Sequence, residues 1–185
     1  MKADPESTEV AVLVGAAAGE PVAVRALIDD FGPAIYGFVY ARVGGHAATA
    51  EDLVQETLIE AVRSATTFRG ESSLRTWLCA IARRRVSRHY EAERKAAVAR
   101  SGLTALTDLA VGGEDEDVER RDEVIRALGE LTPLHRQVLV LKYLDDLSVE
   151  EIANELGRSR VQIQSLLQRA RVRLRDELGE DDGPG

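Results

Sequence analysis

The stretch SVEEIANELGRSRVQIQSLLQRARVRLRDE, residues 148–177, constrains this chain more than any other. Ser148 stands three residues before Glu151, and Ser159 three before Gln162. In each pair the serine hydroxyl can accept from the third backbone N–H. The Glu or Gln side chain can reach back to the serine N–H. Two helix starts are thereby marked, and Gly157 supplies a left-handed stop between them. Two short helices joined by "GRS" read as a helix-turn-helix. An ordinary helical hairpin has the same outline, but the arginine-rich second helix favours DNA.

That second helix sorts into faces. Ile163, Leu166, Leu167, Ala170, Leu174 and Leu178 form an apolar stripe. Ser159, Arg160, Gln162, Gln164, Ser165, Gln168 and Arg169 are the candidate DNA-facing residues. Gln and Arg pair bidentately with adenine and guanine edges, and Arg also neutralises phosphate. The N-terminal half of such a helix enters a major groove. Upstream, "RDEVIRALGEL" is one amphipathic helix. "TPLHRQVLVLKYLDDL" is another, with Thr132 as cap and Pro133 in the first turn. Residues 120–179 thus form a four-helix, helix-turn-helix domain.

The rest of the chain is also helical in pattern. Aromatics make up 4% and Pro occurs five times, while hydrophobic residues reach 44% and charged residues 30%. "EPVAVRALIDDFG" has Pro21 at a first helical position and Gly32 as a stop, and "PAIYGFVYARVGG" restarts at Pro33. "TAEDLVQETLIEAVRSA" opens at Thr49, with Asp52 three residues on, and carries Val54, Leu58, Ala61 and Ala65 as a stripe. "TTFRGESS" is a loop, after which Ser73 caps a long helix through Trp77, Ile81, Val86 and Tyr90. The expected architecture is all-α: a first helical domain over 9–99, a flexible acidic linker over 100–119 and the second domain over 120–179.

Charge divides unevenly along this plan. The net charge is −8, yet IARRRVSRHYEAERK, residues 81–95, holds six Arg or Lys residues and a histidine. An acidic run from Glu114 lies away from it, in the linker. Cys79 is the single cysteine, so no disulfide can form within the chain and a reducing cytoplasm is expected. The polar N-terminus lacks a signal-peptide form, and no apolar run reaches the length of a membrane span. His46, His89 and His135 are far apart and no glycine-rich phosphate loop appears. The expectation is no catalytic residue, no metal and no cofactor.

The order of "AEDLVQETLIEA", "FRGESSLRTWLCAIARRR", "LTPLHRQVLVLKYLDDLSVEEIANELG" and "RARVRLR" resembles the extracytoplasmic-function (ECF) sigma factors of bacteria, the smallest members of the sigma-70 family. The resemblance covers about residues 9–178. It implies a promoter-specificity subunit of RNA polymerase rather than an enzyme. Region two would bind the polymerase clamp coiled coil and open the −10 element. Region four would read the −35 element and sit on the polymerase flap. An anti-sigma factor is a further implied partner, and membrane insertion is not expected.

Residue by residue, Asp52, Leu53, Gln55 and Glu56 resemble the clamp-binding segment. Asp52, Gln55 and Glu56 lie three and four apart and can share a helix face. Arg69, Ser72, Ser73, Arg75 and Trp77 resemble the elements that capture unstacked −10 bases. A tryptophan that begins an amphipathic helix is more often a core residue, and that reading of Trp77 stands ahead of the DNA-facing one. Arg83, Arg84, Arg85 and Arg88, with Lys95 and Arg94, resemble the helix that lies along promoter DNA.

Two departures from the family pattern stand out. Arg84 replaces a frequent Asn, and Arg88 a frequent acidic residue. Where the recognition helix commonly reads S-x-G-T-V-K-S-R, this chain has Val161, Gln164 and Leu166 in place of Gly, Lys and Arg. The expectation is an unusual −10 preference and a weaker −35 contact. Two other readings are a helix-turn-helix scaffold that binds a regulator without initiating transcription, and a dimeric repressor.

Overall fold

The computed structural model describes residues 5–99 and 116–179. Most of the expected linker, residues 100–115, lies outside them. Every regular element among the described residues is helical: α1 (Pro5–Ala17), α2 (Pro21–Arg42), α3 (Ala47–Arg63), a 3₁₀ turn (Ala65–Thr67), α4 (Leu74–Ala99), α5 (Glu116–Glu130), α6 (Pro133–Leu139), a π-helical turn (Val140–Leu144), α7 (Val149–Leu156) and α8 (Arg160–Glu177). The all-α expectation therefore holds, and α5 begins four residues inside the expected linker.

By contact the chain forms two compact units. Among the described residues, one comprises residues 5–41 together with Ala47–Arg88, and the other comprises Arg42–His46 together with residues 89–99 and 116–179. In the first, Leu13, Leu27, Ile35, Val39, Leu74 and Leu78 are almost completely buried. The Glu9 carboxylate of α1 accepts from Leu74 N at 2.7 Å. It satisfies one of the orphan amides that open α4, at the helix end that favours negative charge. Ser73 caps the same end as expected, its Oγ accepting from Thr76 N at 3.2 Å.

Two local expectations fail in this unit. Gly32 and Pro33 do not separate two helices, because α2 runs unbroken from Pro21 to Arg42 with Pro33 inside it. Proline removes one backbone hydrogen bond there, but Leu27, Ile35 and Val39 bury one continuous face on both sides of it. Burial of that face outweighs the local breaker. Nor does Thr49 start α3, which begins at Ala47. Gly44 and Gly45, with φ of 67° and 76°, end α2 so abruptly that the next helix starts almost at once.

The second unit surrounds a core of Leu128, Leu131, Val138, Leu139, Leu141, Ile152, Ile163, Leu166 and Leu167. Its caps follow the sequence. Thr132 accepts from His135 N, and complete capping boxes open α7 at Ser148 and α8 at Ser159. Gly157 closes α7 with φ 60°. Two buried arginines were not legible in advance. Arg136 donates to the carbonyls of Leu128, Gly129, Leu131 and Val43, at 2.7–3.1 Å. Arg42 pairs with Asp145, just past the π-helical turn, at 2.7 Å. Tyr90 adds a hydroxyl donated to the Arg42 carbonyl, and burial pushes its phenol pKa well up.

Candidate nucleic-acid interface

The basic stretch of residues 81–95 lies within α4, so its side chains are distributed by helical spacing. Trp77, Ile81, Arg84 or Arg85, and Arg88 recur three and four residues apart and face one side. That side meets the end of α3 and the 3₁₀ turn. Between them lies a cleft of about 240 Å³, lined by Glu60, Ser64 and Thr67 on one wall and by Trp77, Ile81, Arg84, Arg85 and Arg88 on the other. Of these lining residues Ile81 is buried. Trp77 is half-buried and tilts against Phe68 with ring centroids 5.2 Å apart. The tryptophan is thus both a packing residue and part of the cleft wall.

The cations of this cleft are not equivalent. Arg84 is exposed and bonds only loosely back to its own helix, Nε to Ala80 O at 3.4 Å. Arg88 is exposed at the rim. Arg85 is held between two carboxylates, Glu56 at 3.3 Å and Glu60 at 2.8 Å. Its charge is already compensated, unlike the open cation that the sequence reading expects at this position. Glu60, Ser64 and Thr67 were missed. Glu60 and Ser64 sit four and eight residues after Glu56, so the signal was the continuation of one α3 face.

Other site residues fall outside the cleft. Arg69 is exposed, 3.9 Å from an equally exposed Glu71. Ser72, Ser73, Arg75 and Arg83 are exposed at or beyond the start of α4, Ser73 as its cap. Lys95 pairs with Glu91 at 2.7 Å. On α3, Asp52, Gln55 and Glu56 share an exposed edge, but Leu53 is 5% exposed and belongs to the core. Leu53 therefore supports the helix that carries the other three.

In the second unit, Ile163, Leu166, Leu167 and Ala170 bury the inner face of α8. Ser159, Arg160, Gln162, Gln164, Ser165, Gln168 and Arg169 are all exposed. Ser159 and Gln162 are occupied in the capping box, and Arg160 lies 3.6 Å from Glu150 of α7. The outward row that remains is Gln164, Ser165, Gln168 and Arg169. Leu166 is 6% exposed, so it belongs to the core and not to the outward row. Val161, by contrast, is 73% exposed at the tip of the helix.

His135 of α6 packs beneath this surface. Burial lowers its pKa, and the nearby Arg169 and Arg173 cations lower it further. Among the described residues no group of His, Cys, Asp and Glu is placed to hold a metal, and no helix is long and apolar enough to cross a membrane.

Residues 27–96 match the family model for Sigma-70 region 2, and residues 121–174 match Sigma-70, region 4. The chain is 34% identical over 185 residues to the ECF RNA polymerase sigma factor BldN of Streptomyces coelicolor, covering 97% of this chain and 69% of that protein. It is 33% identical over 148 residues to the RNA polymerase sigma factor YlaC of Bacillus subtilis, covering 78% of this chain and 85% of that one. The sigma factor RpoE of Bartonella quintana, solved with the anti-sigma factor NepR, matches with a TM-score of 0.51 and 25% identity, over 85% of this chain and 98% of that one. With both regions present in order, the chain belongs to the ECF RNA polymerase sigma factors of the sigma-70 family.

Proposed function

We propose that this sigma factor directs initiation by three separate contacts. The exposed α3 edge of Asp52, Gln55 and Glu56 docks on a basic clamp surface of core RNA polymerase. The α3–α4 cleft takes an unstacked base of the −10 strand, and the outward row of α8 reads the −35 element. The cleft carries this reading. It joins an aromatic wall, on which a base can stack, to open guanidinium groups that suit a single strand. Its volume of about 240 Å³ suits a base rather than a duplex.

Promoter DNA and core polymerase are the partners, and an anti-sigma factor is the regulator. The protein acts in the cytoplasm as a non-catalytic subunit. Arg84 contacts a base and Arg88 the phosphates. With Gln at 164 and a core Leu at 166, α8 contributes less to promoter choice than the cleft does. A non-initiating scaffold would need neither an open cleft nor an exposed α3 edge.

The test is transcription in vitro by core polymerase on fragmented genomic DNA, with start sites mapped. New start sites preceded by a common −10 sequence support the reading. Polymerase binding without any new start site contradicts it and leaves the scaffold.

A further inference from the structure

Arg85 bridges two carboxylates that belong to different surfaces. Its Nη1 donates to Glu56 Oε2 at 3.3 Å, and its Nη2 to Glu60 Oε2 at 2.8 Å. Glu56 lies on the exposed α3 edge, whereas Glu60, one helical turn on, lines the cleft with Arg85 itself. The Arg85 side chain is 22% exposed, Glu60 42% and Glu56 54%. The outer end of the bridge is therefore the more open and the longer, and the inner end is the tighter.

From this geometry we infer that Arg85 is a positioning residue that couples polymerase binding at the α3 edge to strand binding in the cleft. The inference rests on the proposed roles of those two surfaces. A basic polymerase surface that takes the Glu56 carboxylate competes with Arg85 for it. Glu60 keeps hold of Nη2, so the guanidinium stays at the cleft while Nη1 becomes available to the strand. Two open cations, Arg84 and Arg88, then become three. The linkage is reciprocal: a strand that draws on Nη1 releases Glu56 to polymerase. Ion pairs this exposed carry only small energies, so the change in affinity is about two- to fivefold.

The experiment measures binding of fluorescein-labelled single-stranded DNA of mixed sequence to the full chain, without polymerase, by anisotropy. Glu56→Ala is compared with Glu51→Ala, which removes an exposed α3 carboxylate that makes no contact with Arg85. The coupling requires Glu56→Ala to tighten binding about two- to fivefold beyond the effect of Glu51→Ala. It also requires that Glu56→Ala add nothing in an Arg85→Ala background. Equal effects of the two substitutions, or an undiminished effect of Glu56→Ala without Arg85, overturn the coupling alone. Absence of DNA binding, or binding that Arg84→Ala leaves unchanged, overturns the reading of the cleft and the coupling with it. A purely structural Arg85 would give no gain from Glu56→Ala at all.

Discussion

Arg42 donates Nε and Nη2 to the same carboxylate oxygen of Asp145, at 3.0 and 2.7 Å, across 103 positions of sequence. The Arg42 and Asp145 side chains are 8% and 2% exposed. Removing one partner leaves the other charge buried, which costs more than the pair itself contributes. Asp145→Ala is expected to destabilise the second unit by about 3 kcal/mol. The double change Arg42→Met with Asp145→Leu is expected to cost clearly less. Urea unfolding of the three proteins decides it. A double variant as weak as Asp145→Ala would show that the pair is not a buried charge couple.

Gly129 of α5 meets the chain at Gly44. A Cβ at Gly129 would lie 2.6 Å from the Gly44 carbonyl oxygen, and neither is a side chain that can turn away. In an exposed helix Gly→Ala stabilises by about 1 kcal/mol. Here the steric conflict reverses the sign, and Gly129→Ala is expected to cost about 1–3 kcal/mol. A thermal melt with a raised midpoint would contradict the close approach.

His135 sets a pH dependence. Burial, then Arg169 and Arg173, favour its neutral form in the folded chain. Its folded pKa lies below the unfolded value of about 6.5, so the unfolded state binds more protons in that window. This contribution to stability is complete above about pH 6.5 and is lost as pH falls below it. His135→Gln should flatten the stability profile just below pH 6.5. An unchanged profile would place the sensitivity elsewhere.

The α3 edge gives a separable prediction. Asp52→Ala with Gln55→Ala should weaken binding to core polymerase while moving stability by only about 0.5 kcal/mol, because both side chains are exposed. Titration against core enzyme, beside a melt of the free protein, measures both. Unaltered affinity removes α3 from the polymerase contact.

What the sequence revealed was local. Ser148, Gly157 and Ser159 act through neighbours within four residues, and each takes the expected role. Pro33 and Thr49 failed because burial of Leu27, Ile35 and Val39 and the paired glycines at 44 and 45 outweigh local preference. Nothing in the residues next to Arg42, Arg136 and Asp145 marks them as buried; distant parts of the chain enclose them. Arg85 and Glu60 illustrate the same limit at the candidate site. Helical spacing places each on a face, but only the packing of α3 on α4 sets them against one another.

The most direct measurement is transcription from a randomised promoter library with Arg84→Ala, Arg88→Ala and Gln164→Ala, at two salt concentrations. Arg84→Ala should relax base preference within the −10 element, by roughly 1–3 kcal/mol of discrimination. Arg88→Ala should weaken all promoters alike and reduce the salt dependence by about one ion. Gln164→Ala should have a smaller effect, confined to the −35 element. If Gln164→Ala abolishes initiation while Arg84→Ala leaves the −10 preference intact, the cleft is not where this protein reads its promoters.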